Sequence, residues 1–224
     1  MTQTLAIFGA TGGCAGSCLA AALKQGYSCK ALARTPSKLT AFMLEKGVED
    51  KTLDSYLTII PGDIRDIQAV KQTLANADII ISGIGAYPKW QWSLRKPLAL
   101  TDPTLSGVQS PNKPRALPLI YLTFYYWLLA EPHADKVALE AKIHEHMQLD
   151  ESQRWIGGYV LVRPSILADG NTKGVTDLRA GLAEDPPVGY SVDRKVVGEW
   201  IFEVLIRDGG AEGTWRDGEV IVTF

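Results

Sequence analysis

The residues best suited to chemistry stand together near the N-terminus, in the stretch GATGGCAG at 9–16. Gly9 lets the chain turn sharply. Gly12 leaves the backbone bare, so that a pyrophosphate can approach it. Ala15 stands where a third glycine is usual and is small enough for a helix to pack closely on a strand. Thr11 and Cys14 fall inside the same turn, and Gly13 and Gly16 add freedom around it. A helix beginning here presents unpaired N–H groups and a partial positive charge to an anion. The chemistry implied is the binding of a dinucleotide.

That turn works only if a strand delivers it and a helix receives it. The apolar run TLAIFG (4–9) suits a buried parallel strand. Ala15, Leu19, Ala22 and Leu23 then form one helix face, with Gly26 as its stop. A second strand, SCKALAR (28–34), ends in Arg34. Dinucleotide folds that prefer NAD place an acid there, whereas arginine suits the 2′-phosphate of NADP(H). Lys38 adds a second positive charge, so NADP(H) is the expected cofactor.

The pattern continues as strand and helix in alternation. Residues 36–47 read as a helix with Pro36 in its first turn, 56–63 as the third strand and 65–75 as a helix. Asp63 and Ile64 fall at a strand's C-terminal end, where ligands of open α/β sheets collect, and Asp63 also suits a helix cap. Residues 77–88 form the fourth strand and the loop beyond it, with Ser82, Gly83, Ile84 and Gly85 expected beside the cofactor. The stretch 87–116 carries Pro88, Pro97, Pro103, Pro111 and Pro114 and reads as an irregular insert. Its Trp90, Trp92, Arg95 and Lys96 suit a substrate mouth, a partner surface or a loop packed over the sheet edge. Periodicity leaves 117–130 open between a fifth strand carrying Thr123 and a buried helix. A helix follows over 133–148, a strand over 158–165, a substrate-side loop region over 166–192, a helix over 191–206 with Asp193 near its start, and a last strand over 219–224 after Asp217-Gly218. The fold class is α/β: a Rossmann-like, doubly wound parallel sheet in one domain over 1–224, with a small C-terminal substrate cap.

The segments GATGG (9–13), ARTPSKL (33–39), PGDIRD (61–66) and VRPS (162–165) resemble the NmrA-like branch of the atypical short-chain dehydrogenases/reductases, near biliverdin and flavin reductase B. The resemblance implies that Asp63 and Ile64 lie against the adenine, and that Pro164 and Ser165 border the nicotinamide. It places Lys136 at the lysine of a Tyr-x-x-x-Lys pair, with Pro132 in the tyrosine's place. His133 and Thr123 are then the other candidates to handle a proton. The function implied is an NADPH-dependent oxidoreductase acting on a small aromatic or conjugated molecule. An NADP(H)-binding redox sensor, or an isomerase or cyclase using the same cleft, are the alternatives. Against the family's pattern, RALPLIYLTFYYWLLAEPHADK (115–136) matches a loop beyond the fifth strand better than the strand itself. A helix and strand, roughly thirty residues, are therefore expected to be missing or replaced.

Composition narrows the rest. A chain of 224 residues can bury one sizeable core. A net charge of −2 offers no general attraction to nucleic acid or anionic membrane. The apolar run 117–130 has 14 residues, too few to span a bilayer. The expected setting is cytoplasmic, as a monomer or homodimer, with a small-molecule substrate. Three cysteines, Cys14, Cys18 and Cys29, do not suggest a disulfide framework. Cys14 and Cys18, four apart on the first helix, read as small packing residues; the alternative for Cys14, beside a helix N-terminus, is a lowered thiol pKa and a site of oxidation. His144 and His146 are two apart on a helix and share no face, so no metal site is expected.

Overall fold

A computed structural model describes residues 3–84, 130–170 and 173–224. They fall into two compact units. The first comprises residues 3–84, 168–178 and 192–210 and is built on strand β1 (Thr4–Phe8). Parallel neighbours flank it in the order β3 (Leu57–Pro61), β2 (Ser28–Ala33), β1, β4 (Ile79–Ser82). Helices α1 (Gly13–Lys24), α2 (Pro36–Glu45), α3 (Asp50–Tyr56) and α4 (Ile67–Leu74) join them.

The alternation of a strand's side chains explains why helices cover both faces of this sheet. Leu5 and Ile7 point to one side and pack in a core with Leu19, Leu23, Leu39, Met43 and Phe202. Ala6 and Phe8 point to the other, where Leu32 and Ala69 meet them. Each fully buried leucine, isoleucine or phenylalanine contributes roughly 1.5–3 kcal/mol relative to exposure. Helix α1 stops as its glycine suggests: Gly26 has φ +77°, its N–H donates to the Leu23 carbonyl, and the Tyr27 N–H donates to that of Ala22. Pro36 occupies the first turn of α2.

Some boundaries differ from the sequence reading. Helix α3 is not visible in the apolar pattern, because Leu53 is its single buried residue; it takes Tyr56 out of the expected third strand. The cap of α4 is Asp66, not Asp63. The Asp66 carboxylate accepts from the Gln68 and Ala69 N–H groups at 2.9 and 3.2 Å, so the helix starts two residues later than expected. Asp63 instead accepts from the Arg65 N–H at 3.0 Å, closing a tight turn.

Helix α5 (Ala130–Met147) leads to β5 (Val160–Pro164), β6 (Ile166–Ala168), β7 (Arg179–Leu182) and β8 (Ser191–Asp193). Helix α6 (Arg194–Trp200) follows and runs on as a wider π-type segment, Ile201–Arg207, before β9 (Gly218–Thr223). The region expected to be a loop, 166–192, thus contains three short strands, each of three or four residues and too brief for a periodic signal. The helix expected from residue 191 begins at Arg194, because β8 claims residues 191–193. Asp193 is its cap as anticipated, accepting from the Lys195 N–H at 2.7 Å.

The second unit comprises residues 85–167, 179–191 and 211–224, described here from residue 130 onward. It holds a three-stranded sheet in the order β5-β9-β7, parallel between β5 and β9 and antiparallel between β9 and β7. Asp217, with φ +55°, makes the turn into β9. The irregular insert at 87–116 and the ambiguous run through residue 129 lie outside the described residues.

Candidate nucleotide-binding site

Strand β1 delivers its C-terminal end to the glycine turn. The Gly12 N–H donates to the Gly9 carbonyl at 2.8 Å, and Gly9 has φ +77°, a conformation that disfavours any side chain. A Cβ at Gly9 would also stand 2.6 Å from the Gly83 carbonyl oxygen. Gly83 in turn leaves room for α1, since a Cβ there would lie 2.7 Å from the Ala15 Cβ. The first turn of α1 and the exits of β1 and β4 therefore meet almost backbone to backbone. Ala15 is buried in that contact, which is the close packing its small size suggests.

Around this turn the strand ends carry the polar groups. Arg34 follows β2 with its guanidinium largely in solvent, and its Nε stands 4.0 Å from Asp63 Oδ2 beyond β3. Ile64 and Ile84 are exposed at the same C-terminal side of the sheet. Lys38 lies in the first turn of α2, its N–H bonded to the Thr35 carbonyl. The structure thus brings Gly9, Thr11, Gly12, Gly13, Cys14, Ala15, Arg34, Lys38, Asp63, Ile64, Gly83 and Ile84 into the first unit, at the end where open α/β sheets bind ligands.

Cys14 follows the packing reading and not the reactive-thiol alternative. Burial raises its thiol pKa to about 11; Arg194 pulls it partly back, and Asp169 and Asp193 push it further up. Desolvation outweighs the helix N-terminus, so Cys14 is a neutral thiol at ordinary pH. Cys18 and Cys29 are raised by burial as well, Cys29 to about 12.

Of the expected substrate-side residues, Pro164 and Ser165 belong to the second unit. The Ser165 N–H donates to the Val222 carbonyl at 3.0 Å, and its hydroxyl lies 2.9 Å from that of Thr223. Lys136 and His133 are on α5; Thr123 and Gly85 lie outside the described residues. Neither histidine later on α5 is left idle. His144 lies with its ring centroid 5.6 Å from that of Tyr159, and His146 accepts from the Trp155 N–H at 3.0 Å. No cluster that could hold a metal ion occurs among the described residues.

Two charged groups escaped the sequence reading. Arg163 is buried in β5 and bridges Glu140 at 2.7 Å and Glu219 at 2.8 Å. An arginine inside the apolar run VLVRP is the signal that could have marked it. Arg194 reaches the glycine turn from α6, a contact no local pattern encodes.

The residues present fit a nicotinamide dinucleotide. At Gly9 and Gly12 the turn is bounded by backbone rather than side chains, and Arg34 stands exposed just beyond β2. Bound there, that group would supply or accept a hydride.

Comparison with known proteins agrees with this geometry. The family model described as NAD(P)H-binding matches residues 9–208. "Reductase pytE" of Aspergillus terreus is 38% identical over 262 residues, covering 99% of this chain and 98% of its own. "Oxidase pynE" of Aspergillus niger is 32% identical over 281 residues, covering 98% of each. Both alignments are longer than the 224 residues of this chain, so some residues of each relative stand opposite gaps here. A short-chain dehydrogenase/reductase of Veillonella parvula, solved in complex with NADP, shares the fold at a TM-score of 0.54 and 16% identity, covering 100% of this chain and 95% of its own. The chain belongs to the NAD(P)H-binding family and carries its dinucleotide turn on a Rossmann-like α/β sheet.

Proposed function

We propose that this protein is an oxidoreductase that uses a nicotinamide nucleotide, prefers NADP(H), and acts on a small aromatic or conjugated molecule. The observation that carries the reading is the glycine turn packed against Gly83, with Arg34 exposed at the end of the neighbouring strand. The turn accounts for a pyrophosphate, and Arg34 accounts for a 2′-phosphate. The names of the two Aspergillus relatives, a reductase and an oxidase, support redox chemistry in one direction or the other. On this reading Lys136 holds the nicotinamide ribose, and Pro164 and Ser165 border the nicotinamide. With Pro132 four residues before Lys136, the proton comes from His133, Thr123 or solvent rather than from a paired tyrosine.

The test is titration of the purified chain with NADPH and NADH, followed by a turnover panel of quinones, flavins and enones. Tight NADPH binding with consumption on at least one substrate supports the reading. Binding without turnover on any of them would favour a redox sensor. As a control on the site, Gly12→Val is expected to abolish nucleotide binding while the chain stays folded, because its side chain fills the phosphate approach.

A further inference from the structure

Helix α6 packs on α1 through Gly198. A Cβ at Gly198 would collide with the Cys14 carbonyl and stand 2.7 Å from Ser17 Cβ and 2.8 Å from the Cys18 nitrogen. Arg194 is four residues earlier, so it shares that face of α6 and lies one turn closer to its N-terminal end. Its aliphatic stem accordingly lies on the opening residue of α1. A Cβ at Gly13 would stand 2.6 Å from Arg194 Cδ and 2.8 Å from its Cβ. The guanidinium extends from there to the Asp169 carboxylate, with Nη1 2.6 Å from Oδ2. Asp169 is three-quarters exposed, so this ion pair is a weak one that a competing anion can displace.

We propose that Arg194 is a phosphate-binding residue of the nucleotide site, and that Asp169 is the counter-ion it gives up when the pyrophosphate arrives. This rests on the reading of residues 9–16 as the pyrophosphate turn. The glycine at 13 then has a second task beyond the turn: it makes room for the Arg194 stem, which brings a permanent cation to helix α1's N-terminus. Arginine suits the role, since its planar fork matches phosphate oxygens in pairs and never loses its charge. A Rossmann turn ordinarily holds its pyrophosphate with backbone N–H groups. Here a side chain from a helix almost 180 residues later in the chain completes the cradle.

The test measures Kd by titration for NADPH and for 2′-AMP, which carries the adenine and a 2′-phosphate but no pyrophosphate. Arg194→Gln is expected to weaken NADPH about ten- to a hundredfold and leave 2′-AMP unchanged, with Arg194→Lys in between. Asp169→Asn, which frees the guanidinium, is expected to tighten NADPH a few-fold. Unchanged or tighter NADPH binding in Arg194→Gln overturns the proposal, as does an equal loss of 2′-AMP. So does weaker NADPH binding in Asp169→Asn, the arm that remains decisive should Arg194→Gln fail to fold. Failure of the unmodified chain to bind NADPH or NADH overturns the reading of the turn itself, and this proposal with it.

Discussion

On the proposed reading, Arg34 carries the choice between two cofactors that differ by one phosphate. Its guanidinium is mostly solvent-exposed, and its nearest described counter-charge, Asp63, stands at the long limit of an ion pair, 4.0 Å away. Little is lost when it turns to a phosphate, and one charge-assisted contact is worth roughly 1.5–3 kcal/mol. Arg34→Asp is expected to lower the preference for NADPH over NADH about ten- to a hundredfold, measured as the ratio of the two Kd values. Unchanged discrimination would remove Arg34 from the site. The three thiols lead to a prediction of another kind. Burial raises the pKa of Cys14 from 9.0 to about 11, raises that of Cys29 to about 12, and raises that of Cys18 as well. The folded state therefore keeps a proton that the unfolded chain releases near pH 9. The associated stability is complete below pH 9 and is lost as pH climbs from there towards 11 and 12. At pH 10 the loss is roughly 1 kcal/mol per thiol. The urea midpoint is expected to fall between pH 8 and 10, and to fall less in a chain with Cys14, Cys18 and Cys29 replaced by alanine. Equal slopes in the two chains would contradict the buried-thiol account.

The elements of the first unit are held by close approach more than by polar contacts. β4 exits over α1 only because Gly83 faces Ala15. Gly83→Ala puts two Cβ atoms into one space, and overpacking of this kind costs about 1–3 kcal/mol. The second substitution Ala15→Gly removes the opposing Cβ and is expected to recover most of that loss, less the roughly 0.5–1 kcal/mol that glycine costs inside a helix. Denaturant unfolding of the four chains in the cycle measures the coupling. Simple additivity would mean that β4 and α1 are not in contact through this pair. The second unit is organised differently: buried Arg163 ties α5, through Glu140, to β9, through Glu219. A buried cation held by two carboxylates costs desolvation and adds directionality, so it orients α5 more than it stabilises it.

At the scale of the molecule, the described part of the first unit's sheet ends at β4. Among the described residues β4 has one neighbour, β1, while β5 belongs to another sheet. The curated relatives align over 262 and 281 residues against the 224 of this chain. The sequence pattern breaks after β4, where family resemblance expects a helix and a fifth strand. Unpaired backbone groups on an inner strand cost about 1–3 kcal/mol each. If a helix and strand are missing after β4, as the resemblance implies, replacing residues 87–129 with the segment that follows the fourth strand in the Aspergillus terreus reductase is expected to raise the thermal midpoint. Each kcal/mol recovered is worth about 2–4 °C in a domain of this size. A midpoint unchanged in that chimera would show that the chain's own segment serves the sheet equally well.

The first unit was legible in the sequence wherever local order decides structure. Leu5 to Phe8 alternate between two covered faces, the glycines of 9–16 announce the turn, Gly26 and Pro36 punctuate the helices, and Arg34 follows its strand by spacing alone. These are consequences of periods of 2.0 and 3.6 residues and of backbone sterics, which act between near neighbours. What local order does not encode was decided by tertiary contact. Helix α3 buries only Leu53 and leaves no stripe to read, and the strands of three or four residues within 166–193 exist because β6 pairs with β8 and β7 with β9, pairings that no local period encodes. Cys14 shows the same division. Its place at a helix N-terminus argues for a reactive thiol, but the packing of α6 on α1 buries it, and desolvation prevails over the helix end. Arg194 shows it most fully: only the approach of Gly198 to Cys14 and Ser17 brings that arginine over Gly13, because the meeting of two helices is set by the shape of both surfaces and not by the sequence of either.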